Sequence, residues 1–142
     1  MFDVITVPVD GSKYSEKAAD YAIAIAEKFN SKIAAVHVLE EFSDNTFADD
    51  EDNGDEILGK ITEKANAVGV DVVEHLITGN PLRDMKTIIR KTCADLVVLH
   101  AFGADLISED LNENQIGSIS ERVVRTSDVP VLIVRWWVNI IN

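Results

Sequence analysis

Glycine and serine residues follow an apolar run that has the composition of a buried strand. The run covers residues 95–99; Gly103 follows it, and Gly117 and Ser118 stand further on, at the start of a segment with helical spacing. Glycine allows a backbone to come close to a ligand, and the first N–H groups of a helix attract phosphate. Ligands of open α/β sheets also bind beyond the carboxyl ends of the strands. The spacing therefore indicates a phosphate or nucleotide site, although Ser118 would serve equally as a plain helix cap.

The size of one side chain and the charge of the same loop argue against a phosphate site. His100 stands directly after the apolar run, where its side chain would fill space that a phosphate needs. Alternatively it donates a charge-assisted hydrogen bond to a phosphate, pairs with Asp10, or is a plain hydrogen-bonded residue at a strand end. Residues 101–116 contain no lysine or arginine but four acidic residues, Asp105, Glu109, Asp110 and Glu113. Such carboxylates repel a polyphosphate unless Mg²⁺ intervenes or the loop points away.

Asp10 follows the first apolar run, at residues 4–9, and precedes a glycine. Its carboxylate would accept hydrogen bonds from a ribose hydroxyl or an adenine amino group, or it would cap the next helix and shape the turn. An acid–base pair with His100 in a small enzyme is a third interpretation. The other histidines, His37 and His75, lie on different predicted strands without the local spacing of a zinc site, so the sequence predicts no metal centre.

Strand and helix patterns alternate along the chain, which favours an open parallel sheet with helices on both faces. The predicted strands cover residues 4–9, 32–39, 71–77, 95–99 and 131–135. The first predicted helix ends at Phe29, the second covers residues 55–67, the third begins at Pro81 after an Asn80 cap, and the fourth begins with a capping box of Ser118 and Glu121. The residues expected to face the sheet from the first and third helices are Ala19, Ala22, Ile23, Ala26, Phe29, Leu82, Met85, Ile88, Ile89 and Cys93.

Composition and charge limit the class of protein. The length of 142 residues and the 46% of apolar residues predict one globular domain, residues 1–142. The formal net charge is −12, but residues 40–56 hold nine carboxylates and no basic residue, which leaves −3 for the rest. We expect residues 40–56 to form a mobile acidic loop that acts as a lid, a partner-binding segment or a solubilising coil. The chain has no basic stripe, so nucleic acid is not an expected partner.

The cellular location is predicted from the two ends of the chain and from the number of cysteines. Cys93 is the only cysteine, so no intrachain disulfide forms and a reducing compartment fits. The N-terminus lacks a signal-peptide pattern, and no apolar run reaches the roughly 20 residues of a membrane helix. We therefore expect a cytoplasmic, soluble protein that does not bind a membrane. The apolar tail at residues 136–142 is expected to pack against a second subunit.

Several stretches together resemble the universal stress protein family. They are residues 7–12 (VPVDGS), 36–38 (VHV), 79–81 (GNP), 117–125 (GSISERVVR) and 130–134 (PVLIV). The resemblance covers nearly the whole chain in order. It implies an adenine-nucleotide alpha-hydrolase-like fold, a five-stranded parallel sheet of order 3-2-1-4-5. It also implies a homodimer that pairs through the last strand, here with the C-terminal tail.

One branch of that family binds ATP through a loop of pattern Gly, two residues, Gly, nine residues, Gly, then Ser or Thr. Here His100 stands at the first glycine, and thirteen residues separate Gly103 from Gly117. The resemblance implies a stress-response regulator that binds ATP or AMP with Mg²⁺ and at most hydrolyses ATP slowly. The alternative is a relative without a cofactor that acts through dimerisation and a protein partner. The implied nucleotide-binding residues are Pro8, Asp10, Val38 (through its backbone), His100, Gly103, Gly117 and Ser118.

Overall fold

The computed structural model describes residues 1–41, 47–101 and 116–135, in which five strands and four helices alternate. The strands are β1 (Val4–Pro8), β2 (Lys32–Glu40), β3 (Val72–Gly79), β4 (Leu96–His100) and β5 (Val131–Val134). The helices are α1 (Lys13–Phe29), α2 (Phe47–Asn66), α3 (Pro81–Lys91) and α4 (Ser118–Thr126). Every predicted element is present, and the strand bounds lie within two residues of those predicted.

The strands form one parallel sheet in the order β3-β2-β1-β4-β5, which confirms the predicted fold class and strand order. Central strand β1 pairs with β2, up to Pro8 opposite Val36, and with β4, where Ile5 lies opposite Leu96. The chain places β2 and β3 on one side of β1, then crosses to place β4 and β5 on the other. Because the strand order reverses between β1 and β4, the connections that follow these two strands diverge. A crevice therefore opens between them at the carboxyl ends of the strands.

Helices cover both faces of the sheet, so the central strands are buried on both sides. Ile5, Val7 and Val98 belong to a core that includes α1 and α2, whereas Val97 and Leu99 belong to a second core with α3 and α4. Helix α1 approaches the sheet closely because small residues line its inner face. Those with 0% exposure are Ala18, Ala19, Ala22 and Ala26.

Three residues at helix ends do not lie where the periodicity predicts. Phe29 and Leu82 are 50% and 41% exposed, so the prediction that they face the sheet is wrong. Phe29 is the last residue of α1, beyond the packed length of the helix, and its ring meets that of Phe2 edge-on at a centroid distance of 5.3 Å. Cys93 is exposed in the turn after α3, so its predicted place in the core is wrong as well.

Helix α2 begins at Phe47, eight residues before the predicted start. Residues 47–56 of the predicted acidic loop are therefore helical. Asp49 and Asp50 lie in the first turn, where carboxylates interact favourably with the positive end of the helix dipole. The early turns carry few apolar residues, so hydrophobic periodicity does not detect them.

The starts of α3 and α4 differ in how well the sequence predicts them. Asn80 caps α3 as predicted, because its side chain accepts the N–H of Arg83 at 3.0 Å. The predicted capping box of α4 is wrong. Gly117 is the cap residue, with φ −64° and ψ 153°, and Ser118 is already helical. The N–H of Gly117 donates to the carbonyl of Ala101 at 2.5 Å, which fixes the entry of the chain one residue earlier than predicted.

Candidate functional site

A cavity of about 630 Å³ opens at the carboxyl edge of the sheet, at the crevice between the β1 and β4 connections. It brings together five of the seven residues that the resemblance implies for nucleotide binding. These five are Pro8, Asp10, Val38, His100 and Ser118. Gly117 precedes this lining as the cap of α4, and Gly103 lies outside the described residues. Chain folding therefore collects residues from β1, β2, β4 and α4 around one space.

Asp10 shapes the turn after β1 and also faces the cavity. Its Oδ1 accepts the N–H of Ser12 at 2.9 Å, and Ser12 in turn caps α1 by accepting the N–H of Ser15 at 3.1 Å. The backbone N–H of Asp10 donates to Ser15 Oγ at 3.2 Å. The turn is thus held from both sides, and the exposed carboxylate of Asp10 lies at the cavity wall. Both interpretations of Asp10 fit this geometry, since the turn role leaves the carboxylate in the lining.

The cavity wall beside Asp10 is apolar, and backbone groups of a strand form its edge. Val9 donates its N–H to the carbonyl of Val36 at 2.8 Å, whereas β1 itself ends at Pro8. Backbone groups of alternate strand residues point to the same neighbour. Val38, two residues beyond Val36, therefore directs its N–H and C=O past the end of β1. His37 donates from Nδ1 to the Val9 carbonyl at 2.8 Å and closes the remaining gap. An apolar surface edged by one backbone donor and acceptor suits a planar base.

His100 is the last residue of β4, the strand beside β1, and lines the cavity next to the first turn of α4. His100 is 4% exposed, and its ring stacks on Tyr14 at a centroid distance of 5.0 Å and an interplanar angle of 29°. Ser120 fixes the backbone there, because its Oγ donates to the His100 carbonyl at 2.6 Å. Ser118 and Ile119 of α4 also line the cavity. A helix N-terminus attracts anions, but the stacked imidazole fills volume that a glycine would leave open.

The acidic wall of the cavity comes from residues 40–56, for which a lid was one of three expected roles but which were not among the predicted site residues. Glu40 and Glu41, at the end of β2, line it together with Asp50 and Asn53 of α2. The sequence assigned these residues to a mobile loop, and their composition alone does not place them at a site. Gly54 is the signal that points to it. A Cβ on Gly54 would lie 2.6 Å from Leu76 Cδ1 and 3.0 Å from His37 Cδ2, so the glycine allows α2 to pack against the end of the sheet.

Arg83 joins the acidic wall to the start of α3. Its Nη2 lies 3.1 Å from Glu41 and 2.7 Å from Asp84. The hydrogen bond from Arg83, together with the backbone N–H of Asn80, lowers the pKa of Asp84 from 3.8 to about 2. The same carboxylates raise the pKa of Arg83. The guanidinium charge is therefore already shared between two acidic groups.

We expect the carboxyl carbon of Asp84 to titrate in NMR with a midpoint near 2. The folded-state pKa is depressed, so the stabilisation from Asp84 is complete above pH 3.8 and is lost as the pH falls toward 2. In an Arg83→Gln variant the midpoint should return toward 3.8, because the first cause of the shift is removed. A wild-type midpoint near 3.8 would contradict this ion-pair geometry.

The described residues contain no group of three or more His, Cys, Asp or Glu side chains that converges to hold a metal ion. The carboxylates of the cavity thus lie apart rather than around one point. Among the helices of residues 1–41, 47–101 and 116–135, none has the length and apolarity needed to cross a membrane.

Known proteins match this chain over most of its length. Residues 1–135 match the universal stress protein family. The universal stress protein MJ0531 of Methanocaldococcus jannaschii is 29% identical over 145 residues, which cover 95% of this chain and 83% of that protein.

Solved structures share the fold. The universal stress protein UspA from Lactobacillus plantarum superposes with a TM-score of 0.80 at 19% identity, covering 93% of this chain and 97% of that one. A universal stress protein crystallised in complex with cAMP superposes with a TM-score of 0.71 at 29% identity, covering 94% and 97%. The family match, the strand order and these superpositions agree, and the chain belongs to the universal stress protein family.

Proposed function

We propose that this chain is a stress-response regulatory protein that binds an adenine nucleotide, ATP or AMP, in the cavity at the carboxyl edge of the sheet. The observation that carries the proposal is the convergence of Pro8, Asp10, Val38, His100 and Ser118 on one space of about 630 Å³. Cavities of this volume hold small organic ligands. A relative with 29% identity that was crystallised with cAMP supports an adenine ligand.

Each part of the cavity suits a different part of such a ligand. The backbone of Val38 and the apolar wall beside it would contact the adenine ring and its edge. The Asp10 carboxylate would accept hydrogen bonds from the ribose hydroxyls. The first turn of α4, starting at Ser118, would lie nearest to the phosphate. Mg²⁺ would then arrive with the nucleotide, because the described carboxylates do not converge on a metal position.

The proposal is for binding rather than turnover. No lysine or arginine of the described residues lines the cavity, so the chain offers no positioned cation to stabilise phosphoryl transfer. A bound nucleotide would instead change the stability of the residues around it by mass action. The protein would thus report nucleotide level through its conformation or its contacts.

Calorimetric titration of the full chain with AMP tests this function. We expect saturable heat with a Kd below the millimolar range and a rise in melting temperature with AMP concentration. Mass spectrometry of the freshly purified protein should also detect an adenine compound. The function fails if neither AMP, ATP nor adenosine gives heat at millimolar concentration.

A dimer is the second part of the proposal and would also serve the alternative, partner-binding function. Strand β5 is the last strand of the sheet, so one of its edges has no neighbour within residues 1–41, 47–101 and 116–135. Leu132 on this strand is 36% exposed. An unpaired edge with apolar exposure is suited to pairing with a second copy. The tail at residues 136–142, expected to join this contact, lies outside the described residues.

Sedimentation equilibrium should give about twice the chain mass of 15.6 kDa for the wild type. A Leu132→Lys variant should shift the protein toward the monomer, because it places a charge in the apolar contact. Val73→Lys is the matched control, since Val73 is 46% exposed on the opposite edge strand, β3. A monomeric wild type, or equal effects of the two substitutions, would contradict pairing through β5.

A further inference from the structure

The backbone ladder between β1 and β2 continues for one residue beyond the end of β1. Val9 donates its N–H to the Val36 carbonyl at 2.8 Å, and at the other end of the same strand pair Lys32 donates to the Asp3 carbonyl at 2.9 Å. Hydrogen bonds between parallel strands are evenly spaced, and they recur every second residue. Counting in steps of two from Lys32 and Asp3 therefore assigns the N–H of Val38 to the carbonyl of Val9.

A side chain takes the place of that backbone donor. Within the described part of the chain, no backbone hydrogen bond joins Val38 to Val9. The carbonyl of Val9 is bonded instead to Nδ1 of His37, at 2.8 Å. A carbonyl only accepts, so Nδ1 carries a proton whether the ring is neutral or charged. The imidazole thus completes the ladder, and Val38 lines the cavity without donating its N–H to Val9.

The same hydrogen bond fixes the peptide unit between Val9 and Asp10. The C=O and the N–H of a trans peptide point in opposite directions. His37 holds the C=O of this unit at 2.8 Å, and Ser15 Oγ accepts its N–H, that of Asp10, at 3.2 Å. Rotation of the unit would break both bonds. The direction in which the chain leaves β1 toward the cavity therefore depends on the imidazole.

Packing holds the ring of His37 in this position. The ring lies against Gly54 of α2, because a Cβ on that glycine would be 3.0 Å from His37 Cδ2. Within the sheet His37 stands opposite Leu76 of β3. Groups from β1, β3 and α2 thus surround a half-buried ring on β2. The fold itself sets the direction of this hydrogen-bond donor.

We propose that His37 is a positioning residue, which keeps the N–H of Val38 available to a ligand by occupying the carbonyl of Val9. It rests on the proposed function, because the ligand is the one assigned to the same cavity. Val9 is 5% exposed, so without a donor at residue 37 its carbonyl would be buried and unpaired. Such a group is costly until it finds a donor, and the N–H of Val38 is the next one along the sheet. The ladder would then extend and close the polar edge that a base requires.

Two substitutions of similar shape separate the donor from the bulk of the side chain. Asparagine carries N–H donors on the atom attached to Cγ, as the imidazole does, whereas leucine has the same branching without a donor. Amide hydrogen exchange of the full chain without ligand is the first readout. In the wild type and in His37→Asn, the Val38 amide should exchange at least about tenfold faster than the amide of Ala34, in the middle of β2. In His37→Leu the Val38 amide should become as slow as that of Ala34.

Titration with adenosine is the second readout. His37→Leu should bind adenosine roughly tenfold more weakly than His37→Asn, the effect of about one hydrogen bond. A ring that only fills space would give the two variants equal affinities, since both substitutions remove it.

Equal affinities, or a wild-type Val38 amide that exchanges as slowly as that of Ala34, would overturn the proposal. The wild-type exchange needs no variant, so it decides even if His37→Leu does not fold. If none of the three proteins binds adenosine, the proposed function fails and the ligand role of His37 fails with it. Fast exchange at Val38 would then still show that the imidazole replaces the backbone donor.

Discussion

Replacing Gly54 with valine should lower the free energy of unfolding by about 1–3 kcal/mol, the usual cost of overpacking a filled site. A Cβ at this position would lie 2.6 Å from Leu76 Cδ1 and 3.0 Å from His37 Cδ2, so these side chains or α2 itself must shift. The intrinsic helix propensity of valine is a few tenths of a kcal/mol better than that of glycine, which is too small to compensate. Urea denaturation measures the change.

Gly59→Val in the same helix is the matched control. A Cβ on Gly59 meets no atom within 4 Å, so this variant should be neutral or slightly more stable than the wild type. The Gly54 variant should also bind adenosine more weakly, because His37, which the added side chain would contact, and the neighbouring Asp50 and Asn53 line the cavity. Equal stability of the two variants would mean that α2 does not pack against the end of β2 and β3 as described.

Replacing Asp10 with alanine should weaken adenosine binding by roughly 10-fold to 100-fold, the loss expected for a hydrogen bond to a charged group. Adenosine is the right probe because it has no phosphate, so removing a carboxylate brings no electrostatic gain. Asp10 also accepts the Ser12 N–H at 2.9 Å, and the variant should lose some stability as well. Calorimetric titration measures the affinity.

Ser12→Ala separates the two roles of this turn. It removes the cap of α1, at a cost of about 0.5–2 kcal/mol in stability, but keeps the Asp10 carboxylate at the cavity. We expect this variant to be destabilised and to bind adenosine nearly as well as the wild type. If both variants lose binding equally, Asp10 acts only through the shape of the turn.

Much of the fold follows from local sequence patterns. The near-continuous apolar run in β2 predicts a strand that is buried on both faces, and Asn80 followed by proline predicts the start of α3. Strand order came from the family resemblance, because pairing of β1 with β4 is a long-range property that no local pattern contains.

The features that the sequence did not predict also have physical causes. The first turns of α2 lack an apolar stripe, so hydrophobic periodicity does not detect them, while the helix dipole favours the acidic residues found there. The cap of α4 is Gly117 rather than the predicted Ser118, because the N–H of Gly117 donates to the carbonyl of Ala101 just after β4. The residues of the acidic wall were not named in advance, since their position depends on the early start of α2 and on a contact at Gly54.

The most direct test of the cavity as a ligand site is the perturbation of backbone amide NMR signals when adenosine is added to the full chain. We expect the largest shifts at Asp10, Val38 and Ser118, which stand on three separate elements around the cavity. Shifts confined to the groove beside Arg90 and Thr126, or no shifts at millimolar adenosine, would contradict the account.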